Sequence, residues 1–195
     1  MRWCSDELSL TRLDVLGQKI RGVCFFVAVS VCAVAHAQTL VLIQILDAGF
    51  ESSLTGGRSP WRLVQHAGVN AYAIVRDVET FTEGKQSLRL TRLTPEFYGT
   101  VRQVIRPIEP GKYRFSLMLR TKGVDGGGWT AYVRVLKSDG EGEIFFGSDI
   151  VGDTDWKQAT IEFDTPVNVT GVELGVTLRG GGSGWIDDTQ LVKLR

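Results

Sequence analysis

Two acidic stretches at opposite ends of the chain hold the residue types best suited to chemistry. One is Gly184-Trp185-Ile186-Asp187-Asp188-Thr189-Gln190-Leu191, close to the C-terminus; the other is Asp47-Ala48-Gly49-Phe50-Glu51. The first alternates like a strand yet contains adjacent carboxylates, and Asp is depleted in strands. Strict alternation places Trp185, Asp187, Thr189 and Leu191 on one face, with Ile186 and Asp188 on the other. At least one carboxylate then leans into an apolar interior, where it must be hydrogen-bonded, paired or bound to a metal. The expectation is that the two acidic stretches meet in space.

Other chemistries are poorly supplied. All three cysteines (Cys4, Cys24, Cys32) precede residue 38, and after that point His66 is the single histidine. A Cys–His nucleophile is thereby excluded beyond residue 37, and a zinc site built on His and Cys nearly so. A Ser–His–Asp triad would have to use His66, which sits in no nucleophile elbow. The glycine runs 126–128 and 180–182 lack a following Lys-Ser/Thr and read as turns, not phosphate cradles. Paired carboxylates for glycoside hydrolysis stay open, because acidic residues are scattered along the chain. Asn168-Val169-Thr170 is a glycosylation sequon if the source is eukaryotic.

Residues 1–37 read as a leader. Lys19 and Arg21 precede an apolar run over 23–35, and Ala35-His36-Ala37 fits a small-x-small cleavage site before Gln38. The run is short for a membrane span of about 20 residues. Residues 1–17 are acidic and unlike a signal, which a start codon placed too far upstream would account for. The implied localisation is secreted or periplasmic, with no membrane span after cleavage. Residues 38–195 form one domain of ordinary size that must cohere without disulfides. The chain has 22 basic and 22 acidic residues, a balance that argues against a nucleic-acid partner.

What must position the acids is a set of short strands. They are expected over 40–46, 72–78, 86–93, 98–105, 112–121, 129–137, 143–146, 156–164, 172–179 and the closing stretch. Glycine, proline and Ser-Asp-Gly clusters separate them, including a turn over 123–128. No convincing helix exceeds ten residues, so the fold class is all-β; short strands at this spacing mean a β-sandwich or a barrel, and an antiparallel β-sandwich is the expectation taken forward. Alternation assigns Tyr113, Phe115, Leu117, Leu119, then Trp129, Ala131, Val133, Val135 and Val172, Leu174, Val176, Leu178 to the core. The opposite, mixed face offers Tyr98, Arg102, Arg120, Tyr132, Arg134, Glu173 and Arg179 as candidate ligand-binding residues. Tyrosine rings suit the C–H faces of sugars and polar side chains their hydroxyls. The excess of arginine hints at carboxylated or sulfated sugars, because guanidinium pairs such anions bidentately. A solvated sheet face is the bland alternative.

One ordered set of segments resembles a known family. It comprises Gly49-Phe50-Glu51, Trp61, Gly84-Lys85-Gln86-Ser87-Leu88, Val101-Arg102-Gln103-Val104-Ile105, Glu109-Pro110-Gly111-Lys112-Tyr113, Thr154-Asp155-Trp156 and Trp185-Ile186-Asp187-Asp188. In order and spacing it resembles carbohydrate-binding modules of the family 4/9 type, which are galactose-binding-like jelly rolls. The resemblance implies two antiparallel sheets and a glycan-binding cleft on the concave one. It also implies a structural calcium ion, with Glu51 and Asp187 at the family's acidic positions and Asp47 and Asp188 as accessories. Trp61 and Trp156 fall where the family packs its core. The functional expectation is non-catalytic binding of a polysaccharide or glycan. The alternatives are a protein-interaction or structural module of the cell envelope, and an accessory part of a glycoside hydrolase system.

Overall fold

The computed structural model describes residues 40–52, 59–66, 71–94 and 98–195; the leader and cleavage site expected from the sequence lie outside them. Among the described residues there are ten strands and no helix: β1 (Val41–Ile43), β2 (Arg62–Gln65), β3 (Tyr72–Asp77), β4 (Ser87–Arg92), β5 (Gly99–Ile105), β6 (Gly111–Lys137), β7 (Gly142–Phe146), β8 (Ile150–Thr165), β9 (Val169–Leu178) and β10 (Ser183–Leu194).

Strand β6 organises the sandwich. Its first half pairs with β8 on one side and β10 on the other; its second half pairs with β7 and β9. One layer therefore runs β3-β4-β10-β6-β8, with β1 added along β10, and the other runs β2-β5-β9-β6-β7. All pairings are antiparallel. Sequence reasoning expected a turn over 123–128 and two separate strands. The strand instead stays paired through this stretch, with register shifts as far as the Trp129–Ile150 pair. Gly123, Gly126 and Gly128 adopt positive φ, so the glycines bend the strand through bulges without ending it.

The core follows the alternation. Leu88, Leu90, Phe115, Leu117, Leu119 and Ile186 from the first layer meet Trp129, Val133, Leu174, Val176 and Leu178 from the second, all buried. Burying each such side chain contributes about 1.5–3 kcal/mol. Trp129 sits where β6 changes layer, and Gly184 of β10 is the reason it fits: a Cβ there would overlap the indole. The Tyr72 hydroxyl crosses between layers to donate to the Leu178 carbonyl at 2.9 Å. Trp61 packs on Phe50 with ring centroids 4.9 Å apart, whereas Trp156, expected in the core, is only half-buried.

Alternation fails at one place on β10. Ile186 and Leu191 are both buried in the core although an odd number of steps separates them. A register shift between Asp187 and Gln190 resets the pattern, with Asp188 in the left-handed region at φ 43°. The bulge also joins the two acidic stretches, since the Thr189 amide and hydroxyl both donate to the Ala48 carbonyl, at 3.0 and 2.8 Å.

Candidate functional site

The outer face of the second layer is built in registered rows. Phe146, Tyr132, Gly175, Arg102 and Arg62 lie side by side across β7, β6, β9, β5 and β2. Ile144, Arg134, Glu173 and Val104 form the next row, and Thr130, Thr177 and Thr100 the row before. Strand β9 supplies small residues to this face at 171, 175 and 177. At Gly175 a Cβ would overlap the Val101 carbonyl oxygen, so the two backbones meet closely there and no side chain stands between Tyr132 and Arg102. A depression of about 340 Å³ results. Tyr98, Arg102, Tyr132, Arg134, Glu173 and Arg179 line it, together with His66, Thr100, Thr177, Ile144 and Phe146.

Glu173 ties this face together. Its carboxylate accepts the Tyr132 hydroxyl at 2.9 Å and pairs with the Arg102 guanidinium. Burial first, and then the neighbouring Glu173 charge, pushes the Tyr132 phenol well above its ordinary pKa, so it stays a donor. Tyr132 is itself buried, which leaves Tyr98 and Phe146 as the exposed rings. The Tyr98 ring is stacked on His66, with centroids 4.4 Å apart. Arg179 pairs with Asp149 at 2.7 Å at one end of the depression.

Six of the seven residues singled out for ligand binding thus surround one cavity. Arg120 does not. It lies on the outer face of the first layer, over the Trp185 ring at 5.6 Å and beside Asp155 at 3.7 Å. Alternation placed it correctly on an outer face but could not say which layer's. His66 and Phe146 were missed. β2 has four residues and little pattern, and Glu143-Ile144-Phe145-Phe146 carries a run of apolar residues without clean alternation.

At the other end, the loop over 82–86 reaches two of the four acids. Asp187 is fully buried; its carboxylate accepts the Thr82 amide and hydroxyl at 2.7 and 2.8 Å and the Asp188 amide at 2.8 Å. Glu51 accepts the Lys85 amide at 2.9 Å and occupies the space a side chain at Gly84 would need. Asp47 is spent otherwise: it pairs with buried Arg76 at 2.8 Å and accepts the Ser52 amide. Asp188 accepts only the neighbouring Gln190 amide group, at 3.1 Å. Among the described residues no three His, Cys, Asp or Glu side chains converge as an ion would need. For calcium, Glu51 and Asp187 are the candidate ligands on this loop; its main chain meets both through N–H donors, so further oxygens would have to come from its carbonyls.

No protein family and no curated protein sequence matches the chain. Its backbone, however, is similar to many solved structures. TmCBM61, solved in complex with β-1,4-galactotriose, superposes with a TM-score of 0.54 at 22% identity, over 76% of this chain and 97% of that one. The C-terminal family 22 carbohydrate-binding module of Clostridium thermocellum Xyn10B, studied for the role of its cleft in ligand binding, gives 0.52 at 18% identity, over 74% and 89%. The fold is that of the carbohydrate-binding-module β-sandwiches. The module fold also occurs within a larger protein, the enzymatically active domain of bacteriophage CBA120 tailspike protein 4, with a TM-score of 0.58 and 17% identity. This chain matches over 70% of its own length but spans only 20% of that protein. Several module families are similar to comparable degrees, so the likeness does not single out the 4/9 type.

Proposed function

We propose that the protein is a secreted, non-catalytic module that binds a glycan on the outer face of its second layer. The observation that carries this reading is the cavity itself. Side chains from β5, β6 and β9, chosen for sugar-binding chemistry, surround it on a fold shared with carbohydrate-binding modules. Exposed Tyr98 and Phe146 offer apolar faces to sugar C–H surfaces, and Thr100, Thr177, Arg134 and Arg179 offer hydroxyl and guanidinium groups to its hydroxyls. A hydrolase would need two facing carboxylates. The lining of this cavity supplies one, Glu173, already engaged by Tyr132 and Arg102.

The test is retention on insoluble polysaccharides together with calorimetry on soluble ones, using the wild type and the Tyr98→Ala and Arg134→Ala variants. Binding that weakens roughly tenfold or more in each variant supports the reading. Absence of binding to every glycan, or indifference to both substitutions, sinks it and leaves a protein-docking face as the alternative.

Calcium belongs to the same proposal as a structural ion at the acidic corner, held by Glu51, Asp187 and main-chain oxygens of the loop over 82–86. It would neutralise the two carboxylates and fasten that loop to β10. Thermal melting with added calcium and with chelator checks it: the midpoint rises with the ion and the rise vanishes in Asp187→Asn. An unchanged midpoint removes the ion.

A further inference from the structure

The cavity described above is half of a longer groove. On the other side of Arg102 and Glu173 a second depression of about 570 Å³ opens, sharing both residues and lined also by Arg62, Arg106, Ser59 and Leu136. β9 runs beneath both. From Gly171 to Arg179 its span is roughly 26 Å, and its outward residues are small apart from Glu173 and the terminal Arg179.

Charge along this path is one-sided. Five arginines (Arg62, Arg102, Arg106, Arg134, Arg179) line the two depressions; Glu173 pairs with Arg102 and Asp149 with Arg179, which leaves three of the five without a carboxylate partner among the described residues. The whole chain carries as many acids as bases, so this is local segregation and not a basic protein seen in part. Two details sharpen it. Arg62 and Arg102 are direct cross-strand partners, which sets two basic residues at Cα positions about 5 Å apart, and Glu173 meets the charge of Arg102 alone. Arg134 lies directly across from Glu173, yet the Glu173 carboxylate turns to Arg102 and Tyr132. Arg62, Arg106 and Arg134 are exposed and form no ion pair among the described residues. Arg106 is laid over Gly171, and Arg134 over Gly142, where a Cβ would crowd each side chain. The guanidinium groups are thus held along the groove's flanks.

We infer that the groove takes a polyanionic glycan, a chain bearing carboxylate or sulfate groups, laid along β9 from the Tyr98–Arg179 end to the Arg62–Arg106 end. This rests on the glycan-binding reading above and adds the chemical class. Guanidinium forks pair such groups bidentately, and an anionic chain would supply the partners that Arg62, Arg106 and Arg134 lack among the described residues.

The experiment measures affinity of the intact protein for polygalacturonan, a sulfated galactan, neutral xylan and neutral β-1,4-galactan, each at low and high salt. The expected result is preference for an anionic polymer by roughly tenfold or more at low salt, shrinking as salt screens the charges. Whichever anionic arm binds identifies the group as carboxylate or sulfate. Arg62→Ala/Arg106→Ala should weaken that binding at least tenfold, while Lys122→Ala/Lys157→Ala, which removes the same charge from the other layer, leaves it unchanged. Equal or tighter binding of the neutral polymers overturns the inference and leaves glycan binding standing. Binding to none of the four overturns the inference, and the glycan-binding reading falls with it only if the wider set of polysaccharides is also not bound. Anionic binding that the two double variants reduce alike, or that neither reduces, also overturns it, because the attraction then belongs to overall charge and not to this groove.

Discussion

Glu173 accepts from the Tyr132 phenol and the Arg102 guanidinium while nearly buried, so its removal should be felt on both sides. Glu173→Ala leaves a buried hydroxyl and a half-buried guanidinium without their acceptor. The expected loss is about 1–3 kcal/mol, against less than about 0.5 kcal/mol for exposed Arg134→Ala, read from urea unfolding midpoints. Asp77 makes a pH prediction. Burial raises its carboxyl pKa, but the Trp185 indole N–H, the Glu79 and Thr80 amides and Arg89 outweigh burial and leave it below the ordinary value. A carboxyl depressed in the folded state contributes stability that is present above its unfolded pKa, about 4, and is lost as pH falls through the folded value. Unfolding free energy should therefore drop below about pH 4, and Asp77→Asn, though less stable at neutral pH, should show a shallower drop.

At the scale of elements, the period-2 pattern was readable wherever a strand has one buried face: the core rows of β6 and β9 stand as alternation placed them. What alternation cannot carry is layer membership. Arg120 and Arg134 occupy the same strand and both point outward, but the bend over 123–128 sends them to opposite sides of the sandwich. Bulges are equally hidden, because a Gly-rich bend that keeps its pairing and a turn that ends a strand share one composition. The four-residue β2 and the edge strand β7 lack enough alternation to assign a face, which is why His66 and Phe146 went unnoticed. Gly175 is a position whose role emerges only from packing. Gly175→Ala should push β5 from β9, lower stability by about 1–3 kcal/mol and weaken ligand binding, measured together by thermal melting and calorimetry. If both stay at wild-type levels, the close approach of these strands does not shape the groove.

For the molecule as a whole, part of the charge is sorted locally: Glu51 and Asp187 stand at the corner where β10 bulges, and five arginines line the groove along β9, while Arg76, Arg89, Arg114 and Arg120 are paired with acids elsewhere. Neither the balance of charge nor the absence of cysteine after residue 37 announces that sorting, since both are properties of composition and not of position. The pairing of β1 with β10, Val41 opposite Lys193, sets the first and last described strands side by side. The described residues 40 to 195 thus bring their two ends together, and one short link would close them into a ring. A circular permutant that joins residue 195 to residue 40 through a few glycines, and begins instead in the exposed 138–140 turn, should fold, melt within a few degrees of the parent and keep its affinity. Failure of that rearranged chain to fold would mean that β1 and β10 need free ends to find each other.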